Sequence, residues 1–77
     1  MPKIPIVPAK DFLRLLKKYG CEFLSVRGSH HKLRNPKNGR VSVLTIHSGK
    51  DVDKGTFAST LTQLGIDIEE FLDFINE

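Results

Sequence analysis

The sequence predicts a two-layer α+β domain in which a three-stranded antiparallel sheet carries helices on one face only. Three observations predict it: an amphipathic segment that ends at Gly20, three strand-like runs joined by tight turns, and two further amphipathic segments that each begin at an aspartate. The length of 77 residues corresponds to one domain. Within it we expect an extended arm at 1–7, a core at 8–66 and a C-terminal helix at 67–77.

The first helix is predicted at about 8–19. Pro8 suits the first turn of a helix, where its missing N–H costs nothing, and Gly20 favours a stop. One apolar face has the i, i+3, i+4, i+7 spacing of an amphipathic helix. Its residues are Phe12, Leu15, Leu16 and Tyr19. A basic stripe on another face either contacts phosphates or simply keeps the helix soluble. Its residues are Lys10, Arg14, Lys17 and Lys18.

Three strands are predicted next, at 22–27, 30–35 and 41–47. Gly28-Ser29 is a tight connection, and Asn38-Gly39 is a strong turn signal between the second and third runs. Two successive short connections imply an antiparallel meander. The third run has β-branched residues on both faces, so we expect a strand that is well covered.

The C-terminal third is predicted to contain a loop at 47–52 and two capped helices. Asp53 is a plausible N-cap for the first, and Asp67 caps the second with Glu70 in a capping-box position. The apolar positions of these helices are Phe57, Leu61, Leu64, Ile68, Phe71, Leu72 and Ile75. The resulting order, α-β-β-β-α(-α), matches the topology of double-stranded-RNA-binding domains. One face of such a sheet stays open for a ligand.

Charge is divided unevenly along the chain. Residues 1–50 contain eleven Lys or Arg and two acids, a net +9, whereas residues 51–77 contain one Lys and seven acids, a net −6. This asymmetry indicates a face for a polyanion, although an unevenly charged solvated surface is the alternative. No apolar run approaches the ~20 residues of a membrane span, and prolines and charges interrupt the N-terminus where a signal peptide would be apolar. We therefore expect a cytoplasmic protein without a membrane partner.

The predicted second strand carries the residues best suited to chemistry. Side chains alternate between the two faces of a strand, so His31 should share the helix-facing side with Leu33. His30, Lys32 and Arg34 should then line the open face together. A histidine can give or take a proton near neutral pH, and neighbouring cations stabilise a charged phosphorane. Cleavage of an RNA backbone can use this combination without a metal ion.

Three further residues are candidate RNA contacts. His47 ends the third predicted strand and is either structural or in contact with substrate. Lys50 and Lys54 flank the start of the next helix, whose N-terminus favours phosphate; an ordinary charged cap is the alternative. The adjacent residues His30 and His31 point to opposite faces and cannot easily share a metal, and no carboxylate or cysteine lies at a recognisable ligand spacing. We expect neither a metal nor a small-molecule cofactor.

Five short segments form an ordered pattern. They are Gly28-Ser29-His30-His31-Lys32, Gly39-Arg40, His47-Ser48-Gly49-Lys50, Lys54-Gly55-Thr56 and Leu64-Gly65-Ile66. Together they resemble the HicA family, the toxins of bacterial and archaeal toxin–antitoxin pairs. The resemblance implies a type II toxin that is an endoribonuclease cleaving mRNA, inhibited by a HicB-type antitoxin. The family's catalytic histidine follows a glycine and a small residue, which is the position of His30.

Other functions remain open from the sequence. A non-catalytic double-stranded-RNA-binding module is the alternative, because no complete acid/base pair is visible. A degenerate copy that only binds an antitoxin-like partner is a third possibility. If an antitoxin binds, we expect it to cover His30 and to place acidic groups against Lys32, Arg34 and Lys50.

Overall fold

The computed structural model describes residues 3–47 and 49–76. The elements in chain order are β1 (Val7–Pro8), α1 (Ala9–Tyr19), β2 (Glu22–Arg27), β3 (His30–Arg34), β4 (Val41–Thr45), β5 (Asp51–Val52), α2 (Lys54–Gln63) and α3 (Ile68–Ile75). Strands β2, β3 and β4 form one antiparallel sheet in that order, and β1 pairs antiparallel with β5. The predicted α+β class and its three-stranded antiparallel sheet are confirmed.

Four residues that belong to predicted segments lie outside the described part of the chain. Met1 and Pro2 belong to the predicted arm, Ser48 to one of the family-like segments, and Glu77 to the predicted C-terminal helix.

The core forms where the three helices meet the inner face of the sheet. Phe12 of α1 stacks on Phe57 of α2 with ring centroids 4.7 Å apart. Phe71 of α3 packs edge-on against both rings, at 6.1 and 5.8 Å. Leu33 of β3 and Leu44 of β4 are buried in the same cluster. Each such side chain contributes about 1.5–3 kcal/mol by leaving water, so the helices are held firmly beneath the sheet.

Side-chain caps begin both C-terminal helices. Asp53 accepts a hydrogen bond from the amide of Thr56 at 2.7 Å, and Asp67 accepts one from the amide of Glu70 at 3.1 Å. Both predicted N-caps are therefore confirmed. Within the described residues, no helix is both long and apolar enough to cross a membrane.

The short pairing of β1 with β5 was not predicted. The sequence indicates an arm at 1–7 and a loop at 47–52, yet Val7 pairs with Val52 and both side chains are buried. The first amide of α1 also donates to the Lys50 carbonyl at 3.0 Å. The loop prediction was wrong here because a ladder of two residues is too short to leave an alternating pattern. The pairing anchors the segment that follows β4.

The prediction that the third strand is covered on both faces was also wrong. Ser42 and Leu44 are buried, but Val41 and Val43 are 40% and 54% exposed, and β4 ends at Thr45 rather than at residue 47. β-Branched residues favour a pleated strand whether or not a second layer covers them. The open face of the sheet is therefore partly apolar as well as basic.

The turn between β3 and β4 is fastened to the C-terminal end of α2. The side-chain amides of Asn35 and Asn38 both donate to the Leu64 carbonyl, at 2.9 and 3.1 Å. Carbonyls at a helix C-terminus have no partner within the helix, so these bonds satisfy an otherwise free acceptor. The β3–β4 hairpin is thereby held in a defined position over the helix layer.

Candidate RNA-cleavage site

His30 lies on the open face, at the start of β3. The two-residue turn at Gly28 and Ser29 precedes it, with Gly28 at φ 57°, a conformation that glycine adopts without steric cost. The strand register places Arg27 of β2 and Thr45 of β4 directly opposite His30, one on each side. Directly opposite residues point to the same face with their Cβ atoms about 4.5–5.5 Å apart. His30 therefore has a fixed cation on one side and a hydroxyl on the other.

A shallow depression of about 330 Å³ surrounds this histidine. Its lining residues are Ser25, Arg27, His30, Lys32 and Val43. Lys32 lies opposite both Ser25 and Val43 in the register, so all five side chains share the open face. We call this feature the His30 depression. It combines one imidazole, two cations, a hydroxyl and an apolar wall, which suits a phosphodiester and its ribose.

His31 lies on the other side of the sheet. It is opposite Leu44 in the register and only partly exposed. Its Nδ1 is 3.2 Å from the Ser29 carbonyl oxygen, which holds the ring beside the turn. The two adjacent histidines therefore lie on opposite faces of the sheet.

Arg34 lies on the predicted face but is already engaged. Its Nη1 donates to Oε1 of Glu22 at 2.9 Å, and the two residues are directly opposite each other on β3 and β2. Of the three side chains predicted to line the open face together, His30 and Lys32 line the depression, and Arg34 sits further along the strand in an ion pair.

His47 and Lys50 belong to a neighbouring part of the surface. His47 is exposed and lines a groove of about 580 Å³ between β4 and α2, which we call the His47 groove. His47 and Lys50 together line a smaller cavity of about 90 Å³, and Lys54 is exposed at the first position of α2. Val43 lines both the His47 groove and the His30 depression, so the two adjoin at this residue.

Asp53 gives the His47 groove a different electrostatic character. Hydrogen bonds from the amide and hydroxyl of Thr56 hold the pKa of this carboxyl below its ordinary value, so it is ionised at neutral pH. A fixed negative charge at the groove disfavours a phosphate there. The His30 depression, which two cations line, is the better phosphate site.

Comparison with known proteins identifies the family. Residues 9–66 match the family described as the HicA toxin of bacterial toxin–antitoxin systems. The chain belongs to the HicA toxin family. A relative from Pseudomonas fluorescens (strain Pf0-1), named probable mRNA interferase HicA, is 38% identical over 56 residues, which are 73% of this chain and 90% of the relative. The resemblance inferred from the sequence motifs is confirmed, and the part that matches the HicA family contains every residue of the His30 depression.

Three residues of the depression in this HicA chain were missed by sequence reasoning: Val43 on β4, and Ser25 and Arg27. Arg27 and Ser25 lie on β2, where no motif draws attention to them. A signal was available for Arg27, because a two-residue turn pairs the residues on either side of it and so places residue 27 opposite residue 30. Among residues 3–47 and 49–76, no three His, Cys, Asp or Glu side chains cluster closely enough to hold a metal ion.

Proposed function

We propose that this HicA toxin is an endoribonuclease that cleaves mRNA in the His30 depression. One observation carries the proposal: the register of the sheet surrounds an exposed histidine with Arg27, Lys32 and Thr45 on a face open to solvent. The name of the Pseudomonas relative, a probable mRNA interferase, supports mRNA as the substrate class.

The chemistry that suits this site is attack by the ribose 2′-hydroxyl on the adjacent phosphorus. The O2′–P bond forms and the P–O5′ bond breaks, which leaves a 2′,3′-cyclic phosphate and a free 5′-hydroxyl. His30 either takes the proton from the 2′-hydroxyl or gives one to the departing 5′-oxygen. A proton transfer of this kind contributes typically ~10²–10⁴ in rate. This route needs no metal ion.

Arg27 and Lys32 bind the reacting phosphate in this proposal. The phosphorane gains negative charge as the 2′-oxygen attacks, and cations that the strand register places beside that position stabilise it. The Arg27 guanidinium presents a fork of donors that matches two phosphate oxygens, whereas Lys32 acts as a point charge. Val43 offers an apolar surface for the ribose.

Solvent carries out the second proton transfer in this scheme: water takes or gives whichever proton His30 does not. Among the described residues that line the depression, His30 is the one whose side chain commonly serves as a general acid or base. The depression is open, so water reaches the reacting groups directly. We therefore expect a slow enzyme, which suits a toxin that needs few cuts in each message.

A HicB-type antitoxin is the proposed inhibitor, and it is expected to cover His30. The antitoxin was expected to place acidic groups against Lys32, Arg34 and Lys50, but two of these are poorly placed for a contact at His30. Arg34 already has Glu22 as a partner, and Lys50 lines the smaller cavity beside His47 rather than the depression. Arg27 and Lys32 are the cations that an acidic inhibitor would meet at the depression. An antitoxin whose affinity is unchanged when both are replaced by glutamine would contradict this contact.

The decisive experiment is RNA cleavage by wild type and His30→Ala. Intact mRNA is incubated with metal-free protein in EDTA and the products are resolved on a gel. We expect the cleavage rate of His30→Ala to fall by at least about 100-fold, and we expect its expression no longer to arrest growth.

The matched control is His31→Ala, which removes the neighbouring imidazole on the opposite face and should still cleave. Circular dichroism checks that both variants fold. Cleavage retained by His30→Ala overturns the catalytic assignment. Binding without products in the wild type favours a non-catalytic RNA-binding module.

A further inference from the structure

One acidic side chain lies on the otherwise basic open face. Glu22 is the only Asp or Glu between Asp11 and Asp51 in the sequence. Its carboxylate accepts from Arg34 at 2.9 Å, and the Glu22 and Arg34 side chains remain 52% and 40% exposed. An exposed ion pair contributes little to stability, so the placement of this acid calls for another explanation.

A β-bulge brings Glu22 to this position. Pairing around the turn runs regularly from Arg27–His30 to Ser25–Lys32, and then the register shifts between Phe23 and Ser25. Without the extra residue at this shift, Phe23 rather than Glu22 would lie opposite Arg34. Bulges re-aim side chains and are frequent beside functional sites. Because of the bulge in β2, a carboxylate rather than an aromatic ring lies opposite Arg34, at the end of the open face that is far from His30.

Arg34 lies well away from the reacting histidine. It is four residues beyond His30 on the same strand, a separation of about 13 Å at ~3.3 Å per residue. One phosphate cannot contact both side chains closely. A free Arg34 would therefore offer RNA a second phosphate site, and a phosphate bound there is itself out of reach of His30.

We propose that Glu22 is a positioning residue. By pairing with Arg34, it keeps this arginine from binding RNA, so that phosphates bind the open face mainly at the end that contains His30. This rests on the proposed function, because it assumes that RNA binds along the open face. The carboxylate neutralises Arg34 and repels phosphate from that end of the sheet. RNA is then bound mainly by Arg27 and Lys32, so a larger fraction of bound chains has a phosphate at His30. The cost of this arrangement is weaker overall binding.

Binding is tested with single-stranded 2′-O-methyl RNA, which lacks the attacking hydroxyl and stays intact. A labelled oligonucleotide is titrated with wild type and Glu22→Gln over a range of KCl concentrations. We expect Glu22→Gln to bind roughly three- to tenfold more tightly at low salt and to steepen the slope of log K against log salt by about 0.7, the value for one added phosphate contact on a single strand. In an Arg34→Gln background, Glu22→Gln should leave the salt slope unchanged, because it frees no arginine there.

The chain contains a matched control for the change in charge. Asp11 accepts from Arg14 at 2.7 Å in another exposed pair, on α1. Asp11→Asn adds the same charge and frees an arginine away from the sheet, so it should leave the salt slope unchanged. Equal effects of Asp11→Asn and Glu22→Gln would mean a general charge effect and would overturn the proposal, as would an unchanged slope in Glu22→Gln.

Cleavage kinetics separate positioning from a merely structural role. With cleavable RNA we expect Glu22→Gln to lower kcat and KM together and to leave kcat/KM nearly unchanged, because the added binding is away from His30 and is non-productive. A lowered KM with unchanged kcat would overturn the proposal, because the added contact would then support productive binding. A lowered Tm with unchanged KM and salt slope would make the ion pair structural only. A wild type that binds RNA but does not cleave it overturns the proposed function and leaves the binding result standing. Absence of RNA binding in every variant overturns both.

Discussion

Arg27 and His30 face each other directly across the hairpin that joins β2 to β3. They flank the two-residue turn, so their relative position is set by backbone hydrogen bonding rather than by a mobile loop. A fixed charge beside a proton-transfer group is the arrangement that stabilises a phosphorane with little reorganisation. The chemistry proposed for this HicA toxin depends on this pair more than on the two adjacent histidines.

Replacement of Arg27 should impair cleavage while leaving the fold intact. Arg27 is exposed on an edge strand, so Arg27→Ala removes little packing. We expect a fall in cleavage rate of roughly 10- to 1,000-fold, in the range found when one preorganised donor to a transition state is removed. Arg27→Lys should recover part of the rate, because it restores the charge but not the forked donors. Arg14→Ala, an equal loss of charge on α1, is the control; a rate in Arg27→Ala equal to that of this control would refute the role.

The two asparagines of the β3–β4 turn should make contributions to the free energy of unfolding that depend on each other. Asn35 is buried and bonds the Leu64 carbonyl and the Lys37 amide, so Asn35→Ala should cost about 1–3 kcal/mol in the free energy of unfolding. Asn38 shares the same carbonyl and is more exposed, so Asn38→Ala should cost less. The double variant leaves the carbonyl without either donor and should lose more than the two single losses combined. Urea denaturation measures all three, and simple additivity would count against a shared acceptor.

The cap of α2 should make stability depend on pH in acid. Hydrogen bonds from the amide and hydroxyl of Thr56 lower the pKa of Asp53 in the folded protein. A lowered folded pKa contributes stability that is present above the unfolded pKa and is lost as the pH falls through the folded one. The Tm difference between wild type and Asp53→Ala should therefore be largest at neutral pH and should shrink below about pH 4. A difference that is constant from pH 7 to the acid limit would exclude the ionised cap as its source.

Local patterns predicted most of the elements. The apolar spacing from Phe12 to Tyr19, the aspartate caps and the turn residues indicate where helices and strands begin and end, because propensity, capping and turn chemistry act over a few residues. Strand alternation likewise assigns His30 and His31 to opposite faces, because the period of two is a local property of an extended chain. The predictions were wrong where a local pattern carries no information about whether a second layer of structure covers a strand. Val43 is an example, because its β-branched side chain favours a strand and yet stays exposed.

By itself, the sequence determined the fold class, the HicA family and the face on which His30 and Lys32 lie. Only the tertiary structure decided which groups lie beside these residues. It placed Arg27 and Thr45 on either side of His30, and a register shift in β2 placed Glu22 opposite Arg34. It also placed His47 in a neighbouring groove instead of the depression. The physical reason is that periodicity is a local property, whereas strand register, bulges and pairing between distant segments are selected by contacts that form only when the whole chain packs.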